Sequence, residues 1–375
     1  MSAEGTKTDR PSDDWRQRLL RPGLEELTAY APHLPPGIEV RLDANEAPPA
    51  ASPAIAEAVS KAISKVTLER YPDAGATLLK AQIAARTGAS PNDLMIGSGS
   101  DEIISLLFTA LARCHEKQPQ PVVVTPTPTF VMYRTTARGH GWKPVEVPLD
   151  AAWDLDVAMM KRAIDVVQPN LVFIASPNNP TGNAMTASRL EDVIAHASGA
   201  LVVIDEAYVD YSSASVRAWR VRFPNLGILR TLSKIGLAAL RVGWVEADAA
   251  LIAEIEKVRQ PFNLSATSQA AAVAVLRDAW DAVAAQTKAV VAERERVAKE
   301  VRALGSFEVT PSQANFLWIK TVQPAEETFE ALVKRGILVR SFHKVGGRMA
   351  RQIRVTIGLP RENDRLLEGL RACAV

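Results

Sequence analysis

Cysteine is scarce in this chain of 375 residues, which contains only Cys114 and Cys373 and no CxxC pair. The sequence therefore excludes a disulfide framework and a cysteine-based metal centre. Histidine is also rare, and the five histidines lie far apart without an HExxH motif, so no metal site is expected. They are His33, His115, His140, His196 and His343.

Long apolar runs and an excess of one charge are missing as well. No stretch reaches the roughly 18 apolar residues that span a membrane. The opening segment MSAEGTKTDRPSDDWRQ is polar and mixed in charge, unlike a signal peptide. The formal net charge is +2 and the basic residues are scattered, so neither nucleic acid nor a membrane surface is expected as a partner. These features predict a soluble, cytoplasmic protein.

From about residue 93 the sequence alternates short apolar runs with helical periodicities. The runs are apolar on both faces, as are the strands of a parallel sheet covered by helices. Helical segments separate several of them, for example 101–113, where apolar residues recur with i, i+3, i+4 spacing. This alternation predicts an α/β fold with a mostly parallel sheet sandwiched by helices. The predicted strands are 93–97, 121–125, 170–175, 200–205, 226–231 and 241–246.

The pattern changes after about residue 262, where long helices rich in alanine and then in charge are followed by short strands. A final helix is expected from about Glu362. This part predicts a smaller α+β domain, completed by the N-terminal segment. We therefore expect an N-terminal segment over 1–54, a large domain over 55–285 and a small α+β domain over 286–375, a division that the chain length permits.

Polar residues follow the predicted strands, and in open α/β sheets ligands bind beyond the carboxyl ends of the strands. The first strand runs into GSGSDE (97–102) and then an amphipathic helix. Small residues let the backbone approach a ligand, and the start of a helix offers free N–H groups to a phosphate. A tight turn capped by Asp101 explains the segment equally well. Glu102 breaks the GxGxxG pattern, which argues against a nicotinamide-dependent enzyme.

Two further strand ends carry hydrogen-bonding groups. The loop SPNNPTG (176–182) holds Asn178 and Asn179 between prolines, either as a plain turn or to fix an amide side chain rigidly. The segment DEAY (205–208) puts Asp205 at the end of a fully apolar strand, which is costly unless the acid is paired. A cap or a salt bridge is the plainer explanation for that acid, and Tyr208 alone is typical of a half-buried core aromatic residue.

Lys234 lies in ILRTLSKIGLAALRVGW (228–244), among apolar and small residues with arginines only at the rims. Such a lysine usually lays its stem along apolar neighbours at the surface. The alternative is an amine with a lowered pKa that forms a Schiff base with a carbonyl compound. Ser233 precedes this lysine and Arg241 follows it by seven residues.

Four features thus occur in order at strand ends: a phosphate cradle, an amide loop, a buried acid and a lysine. Features that arose independently for structural reasons would not usually all lie on one edge of a sheet. Pyridoxal phosphate needs all four. Its aldehyde requires a lysine, and its pyridine nitrogen requires a carboxylate. Its ring hydroxyl needs hydrogen-bond partners, and its phosphate needs N–H groups, hydroxyls and a cation.

At this point the sequence resembles the fold-type I pyridoxal-phosphate aminotransferases and, among them, the histidinol-phosphate aminotransferases. The resemblance extends from Tyr30 to about Arg371 and implies transamination between L-histidinol phosphate and 2-oxoglutarate in histidine biosynthesis. Its motifs, in order, are RLDANEA, RYPD, GSGSDE, PTPTFVMY, SPNNPTG, VVIDEAYVDY, RTLSKIGLAALRVG, ANFLWIK and QIRVTIG.

The resemblance implies a role for each matching residue. Lys234 would form the Schiff base and carry the proton between Cα and the cofactor. Asp205 would pair with the pyridinium nitrogen, and Asn179 and Tyr208 would hydrogen-bond the ring oxygen. Phe130 would stack on the ring.

The cofactor phosphate would be held by Ser233, Arg241 and the backbone around Ser100 and Asp101. Tyr71, in RYPD, would reach this phosphate from a partner subunit, which implies a homodimer with shared active sites.

Substrate binding is implied for residues at both ends of the chain. Arg354 would clamp the glutamate carboxylate bidentately. Alternatively, Arg354 and Arg340 together would hold the phosphate of histidinol phosphate. Tyr30 and Asn45 would close the pocket from the N-terminal segment.

Other functions fit parts of this pattern. An aromatic amino-acid aminotransferase or a pyridoxal-phosphate decarboxylase acting on a phosphorylated amino acid would use the same cofactor, and the sequence does not exclude either. A non-enzymatic regulator with an aminotransferase-like domain would need a DNA-binding module ahead of the fold. The RLDANE motif begins by residue 41, too early for such a module, and no basic patch is present.

Overall fold

The computed structural model describes residues 15, 19–21, 23–29, 34–114, 118–213 and 215–374. Within them the strands are β1 (Val40–Leu42), β2 (Leu94–Ser98), β3 (Val122–Thr127), β4 (Lys143–Pro148), β5 (Leu171–Ala175), β6 (Leu201–Asp205), β7 (Leu226–Thr231), β8 (Val242–Glu246), β9 (Phe307–Thr310), β10 (Phe316–Thr321), β11 (Ile337–Ser341) and β12 (Gln352–Thr356).

The α-helices of the same residues are α1 (Ala54–Ile63), α2 (Thr77–Thr87), α3 (Gly99–Ala110), α4 (Met132–Gly139), α5 (Val157–Val167), α6 (Ala187–His196), α7 (Ala249–Glu256), α8 (Ala266–Asp278), α9 (Trp280–Ala303), α10 (Ala325–Val333) and α11 (Pro360–Arg371). No helix in the described part of the chain is both long and apolar enough to cross a membrane.

The larger sheet has seven strands in the order β2-β8-β7-β6-β5-β3-β4. Only β8 runs against its neighbours, pairing antiparallel with both β2 and β7. The predicted α/β fold with a mostly parallel sheet is therefore confirmed. The edge strand β4 is not among the predicted strands. It is mostly solvent-accessible and contains two prolines, so it has no apolar run to mark it.

Two apolar layers cover this sheet and explain why its strands are apolar on both faces. Alternate residues of a strand point to opposite sides. In β6, Val202 and Ile204 join the cluster packed under α5 and α6. The intervening Val203 joins the cluster under α3, α4 and α7. In β6 the one polar residue, Asp205, is thereby restricted to the end of the strand.

A second sheet has five strands in the order β1-β11-β12-β10-β9. Its N-terminal strand β1 pairs in parallel with β11, while β12 pairs antiparallel with both β10 and β11. Its apolar cluster includes residues of α8, α9 and α11. Helix α9 runs without a break through residues 285 and 286, and the predicted domain boundaries remain a prediction.

Candidate active site

The carboxyl ends of β5, β6 and β7 lie side by side because β6 pairs in parallel with both neighbours. The three segments that leave these ends carry Asn179, then Asp205 and Tyr208, and then Lys234. The ammonium nitrogen of Lys234 lies 5.9 Å from the ring centre of Tyr208. The sheet thus brings together side chains that are far apart in the sequence.

Asp205 is a buried carboxylate, only 5% exposed. Its Oδ2 accepts a hydrogen bond of 2.6 Å from the Tyr133 hydroxyl, and its Oδ1 accepts one of 2.9 Å from the Ala207 N–H. Burial raises the pKa of Asp205 to about 6, although both hydrogen bonds favour the ionised form and oppose the rise. Sequence reasoning missed Tyr133, although it lies within PTPTFVMY, three residues after Phe130.

Lys234 sits in a short 3₁₀ turn, Ser233–Ile235, directly after β7. Leu232, Ile235 and Leu237 around it are buried and anchor the turn, whereas Lys234 itself is half-buried. The Tyr211 hydroxyl donates a hydrogen bond of 2.5 Å to the Lys234 carbonyl oxygen. The apolar flanks therefore fix the backbone from which the amine projects.

Asn45 connects the N-terminal segment to Tyr208. Its side-chain amide donates to the Tyr208 hydroxyl at 2.9 Å. Its backbone is held by Thr356 Oγ1, which accepts from its N–H at 2.9 Å, and by Asn315, whose amide donates to its carbonyl at 3.0 Å. Asn45 has a positive φ of 55°, a conformation that asparagine tolerates better than most residues. The two sheets thus meet at the tyrosine hydroxyl.

The segment after β2 packs closely against the Arg241 side chain. Gly99, at a φ of +79°, begins α3, and a Cβ atom added there would lie 2.5 Å from Arg241 Nη2. A Cβ atom on Gly243 would lie 2.6 Å from the Ser100 backbone nitrogen. The guanidinium therefore approaches the N-terminus of α3, where free N–H groups and the helix dipole favour an anion.

Asp101 does not cap this helix: the N-cap residue is Ser98, and its backbone N–H donates to the Glu102 carboxylate. Its carboxylate instead pairs with Arg241 at 3.1 Å, with both side chains about half exposed. On the neighbouring turn, the Ser233 hydroxyl accepts a hydrogen bond of 2.9 Å from Thr231 Oγ1. Ser233 remains able to donate its own proton to an anion.

The two asparagines of the proline loop differ in their contacts. Asn178 is fully buried and donates to Thr181 within the loop and to the carbonyl of Pro128, which directly follows β3. Asn179 faces the second sheet, where Arg354 Nη1 donates to its Oδ1 at 2.6 Å. Asn178 therefore shapes the loop, while Asn179 connects the loop to the second sheet.

Arg354 is a buried guanidinium on β12 that also donates to the Asp43 carbonyl oxygen. Arg340 lies directly opposite on β11, in register with Arg354. Residues opposite each other in an antiparallel pair project to the same face. Arg340 is exposed and makes no hydrogen bond or ion pair with the described residues.

The remaining predicted residues differ in position. Phe130 is half-buried, with its ring meeting that of Tyr133 edge-on at 5.5 Å. Tyr71 is 82% exposed and stacks on Phe262 at 4.7 Å. Tyr30, expected to close the pocket, lies outside the described residues.

The donor set fits each polar group of pyridoxal phosphate. A primary amine, Lys234, suits the aldehyde, and the carboxylate of Asp205 suits a protonated ring nitrogen. Amide and phenol groups of Asn179 and Tyr208 suit the ring oxygen. Arg241 and the glycine-lined start of α3 suit a phosphate, since a side chain at Gly99 would fill that space.

Comparisons with known proteins show the family to which the chain belongs. The family model "Aminotransferase class I and II" matches residues 38–370. The chain is 38% identical over 347 residues to the histidinol-phosphate aminotransferase of Aquifex aeolicus, covering 92% of this chain and 96% of the relative. It is 37% identical to that of Methylibium petroleiphilum, covering 94% of each chain.

A solved structure shares the fold as well. The histidinol-phosphate aminotransferase of Sinorhizobium meliloti, in complex with pyridoxal-5'-phosphate, superposes with a TM-score of 0.81 at 25% identity, covering 94% of this chain and 96% of that one. Because the family model spans most of the chain and the relatives match nearly end to end, this protein belongs to the class I and II aminotransferases.

Proposed function

We propose that this aminotransferase uses pyridoxal phosphate to move an amino group between L-histidinol phosphate and 2-oxoglutarate, giving imidazole acetol phosphate and glutamate in histidine biosynthesis. The names of its relatives support this proposal. The observation that carries it is the pair of arginines, Arg354 and Arg340, in register on neighbouring strands. Both substrates are anions, and one basic pocket suits both.

When bound, the cofactor supplies an electron-withdrawing ring that makes the Cα proton of an amino substrate acidic. In our proposal Lys234 Nζ takes that proton from Cα and would deliver it to a carbon of the cofactor. The support for this role is its position beside the Tyr208 ring, on a turn anchored by buried neighbours. A general base must be held within reach of the proton that it moves.

We propose that Asp205 pairs with the ring nitrogen of the cofactor and keeps this nitrogen protonated. An ionised carboxylate in a buried site attracts a cation strongly because little water screens it. Tyr208 and Asn179 would bind the ring oxygen. Their partners Asn45 and Arg354 come from the second sheet, so cofactor and substrate contacts are connected.

The phosphate is assigned to Ser233, Arg241 and the backbone N–H groups around Ser100 and Asp101. The Arg241–Asp101 ion pair is half exposed, and such pairs contribute little stability, so Arg241 can turn toward a phosphate at low cost. The guanidinium offers several donors in one plane, which suits phosphate oxygens.

We also propose a homodimer with shared active sites, in the cytoplasm. Tyr71 lines a groove of about 1010 Å³ between α1, α2 and α8. Large apolar side chains are exposed in this region, including Leu68, Leu78 and Phe262. Apolar surface of this kind is typical of an interface, and a second copy would cover it. Tyr71 would then reach the partner's cofactor phosphate.

The first experiment is to record the visible absorbance of the purified protein with bound cofactor while L-histidinol phosphate is added. We expect the cofactor band to decay and to return when 2-oxoglutarate follows. If the band responded only to aromatic amino acids, the proposed donor would be wrong. If carbon dioxide were released, the reaction would be decarboxylation and not transamination.

A matched comparison tests the arginine pair. L-histidinol differs from the proposed donor only by the phosphate. Wild-type protein should prefer the phosphorylated compound, and Arg340→Gln should remove most of this preference by raising the KM for L-histidinol phosphate alone. An equal preference in both proteins would contradict the assignment of Arg340.

A further inference from the structure

The Asp205 carboxylate depends on one side chain for its hydrogen bonding. Among the described residues, only the Tyr133 hydroxyl and the Ala207 backbone N–H donate to it, one to each oxygen. A buried carboxylate oxygen left without a donor is costly. The Ala207 N–H belongs to the backbone that continues directly from β6. The Tyr133 hydroxyl comes from a different element, α4.

Two charged groups also influence Asp205 from neighbouring elements. Lys234 favours the ionised carboxylate and Asp101, in the first turn of α3, disfavours it. Both effects are smaller than that of the Tyr133 hydrogen bond, which is the largest influence that lowers the pKa of Asp205 against the effect of burial. The hydroxyl of Tyr133 is therefore the main side-chain support for the charge.

Tyr133 is held rigidly. It is fully buried, and its ring stacks on Phe173 of β5 with centres 4.7 Å apart and planes at 2°. Phe130 packs against it edge-on at 86°. Burial, together with the charge of Asp205, raises the pKa of Tyr133 well above its ordinary value, so its hydroxyl keeps its proton and acts as a donor.

We propose that Tyr133 is a positioning residue of this aminotransferase, which orients the Asp205 carboxylate for the cofactor's ring nitrogen and supports Phe130 as the stacking residue. It acts through these two side chains and touches neither substrate. The proposal rests on the cofactor roles assigned above to Asp205 and Phe130, and it is independent of the identity of the amino donor.

The test is the dissociation constant of pyridoxal phosphate, measured by equilibrium dialysis of the apo-protein over a range of pH. Tyr133→Phe removes only the hydroxyl. We expect binding to weaken about tenfold near neutral pH and the midpoint of the pH profile to rise by about one pH unit. The titrations of the cofactor itself are common to all variants and cancel in the comparison.

Tyr211→Phe is the matched control. It also removes a buried hydroxyl, but one bonded to the Lys234 carbonyl oxygen rather than to a carboxylate. We expect a similar loss of thermal stability and an unchanged midpoint. Equal midpoints in wild type and Tyr133→Phe would overturn the proposal, even if activity fell.

A second variant tests the same hydrogen bond while keeping the hydroxyl of residue 133. Site-specific 3-fluorotyrosine at position 133 makes the phenol more acidic, so it donates a stronger hydrogen bond, and the midpoint should move down. It provides the test if Tyr133→Phe does not fold, and a midpoint that does not fall would overturn the proposal. Because only the cofactor is used, a failure of L-histidinol phosphate as donor would leave these results unaffected.

Discussion

Replacing Arg354 with lysine tests the substrate pocket most directly, because the change keeps the charge and removes the planar guanidinium. In the structure this group is 9% exposed and donates through both terminal nitrogens, to Asn179 Oδ1 and to the Asp43 carbonyl oxygen. A lysine offers one nitrogen on a flexible stem and cannot reproduce a forked pair of bonds to a carboxylate.

The size of the effect follows from the bonds lost. Hydrogen bonds to charged groups contribute about 1.5–3 kcal/mol each. Arg354→Lys keeps the charge and one bond to a bound carboxylate and loses the other. Since about 1.4 kcal/mol corresponds to a factor of ten, kcat/KM for glutamate and 2-oxoglutarate should fall about 10- to 150-fold. Most of this change should appear in KM, because the bond is present before and during the reaction.

The assay is steady-state kinetics with each substrate varied in turn, alongside thermal unfolding. Arg351→Lys is the matched control, an exposed arginine just before β12. It should leave kcat/KM unchanged. If Arg354→Lys remained within about threefold of wild type while folding normally, the bidentate clamp would be refuted.

Three further changes test the rest of the site. Lys234→Ala should abolish turnover while the unfolding temperature stays near that of wild type. Activity close to that of wild type would contradict the assignment of Lys234 as the base. Asp205→Asn should stabilise the apo-protein. The pKa of Asp205 is about 6 when folded against 3.8 expected of a free aspartate, so ionisation costs the fold up to about 3 kcal/mol above pH 6. In urea unfolding this gain should shrink to nothing below about pH 4, and a gain independent of pH would contradict the cause. Gly99→Ala should weaken cofactor binding about tenfold by displacing Arg241, whereas Gly88→Ala carries similar backbone strain without a close neighbour and should not.

The sequence predicted most of the large sheet because its strands are buried on both faces. Runs such as 200–205 and 226–231 leave little alternative to a covered parallel sheet, and β6 and β7 follow them closely. The exposed edge strand β4 carries no such signal. A buried strand is recognised in the sequence by its apolar run, whereas an exposed edge strand is recognised only by its pairing with the neighbouring strand.

The order of polar residues at strand ends was also readable, because parallel strands bring their carboxyl ends to one edge. The pattern placed Asp205 at the end of an apolar strand, but it did not show how its contacts differ from those of the adjacent Glu206. Both are buried, but Glu206 pairs with Arg230 at 2.5 Å, whereas Asp205 accepts from a phenol. One acid therefore stabilises the fold and its neighbour faces the site.

By itself, the sequence determined the fold class, the order of the motifs and the aminotransferase family, and it predicted the lysine, the acid and the glycines of the candidate site. The tertiary structure decided which side chains meet. The bonds from Asn45 to Tyr208, from Tyr133 to Asp205 and from Arg354 to Asn179 join residues 163, 72 and 175 positions apart. No local pattern encodes such a distance, because each contact depends on how two elements pack, and packing is fixed by the whole core.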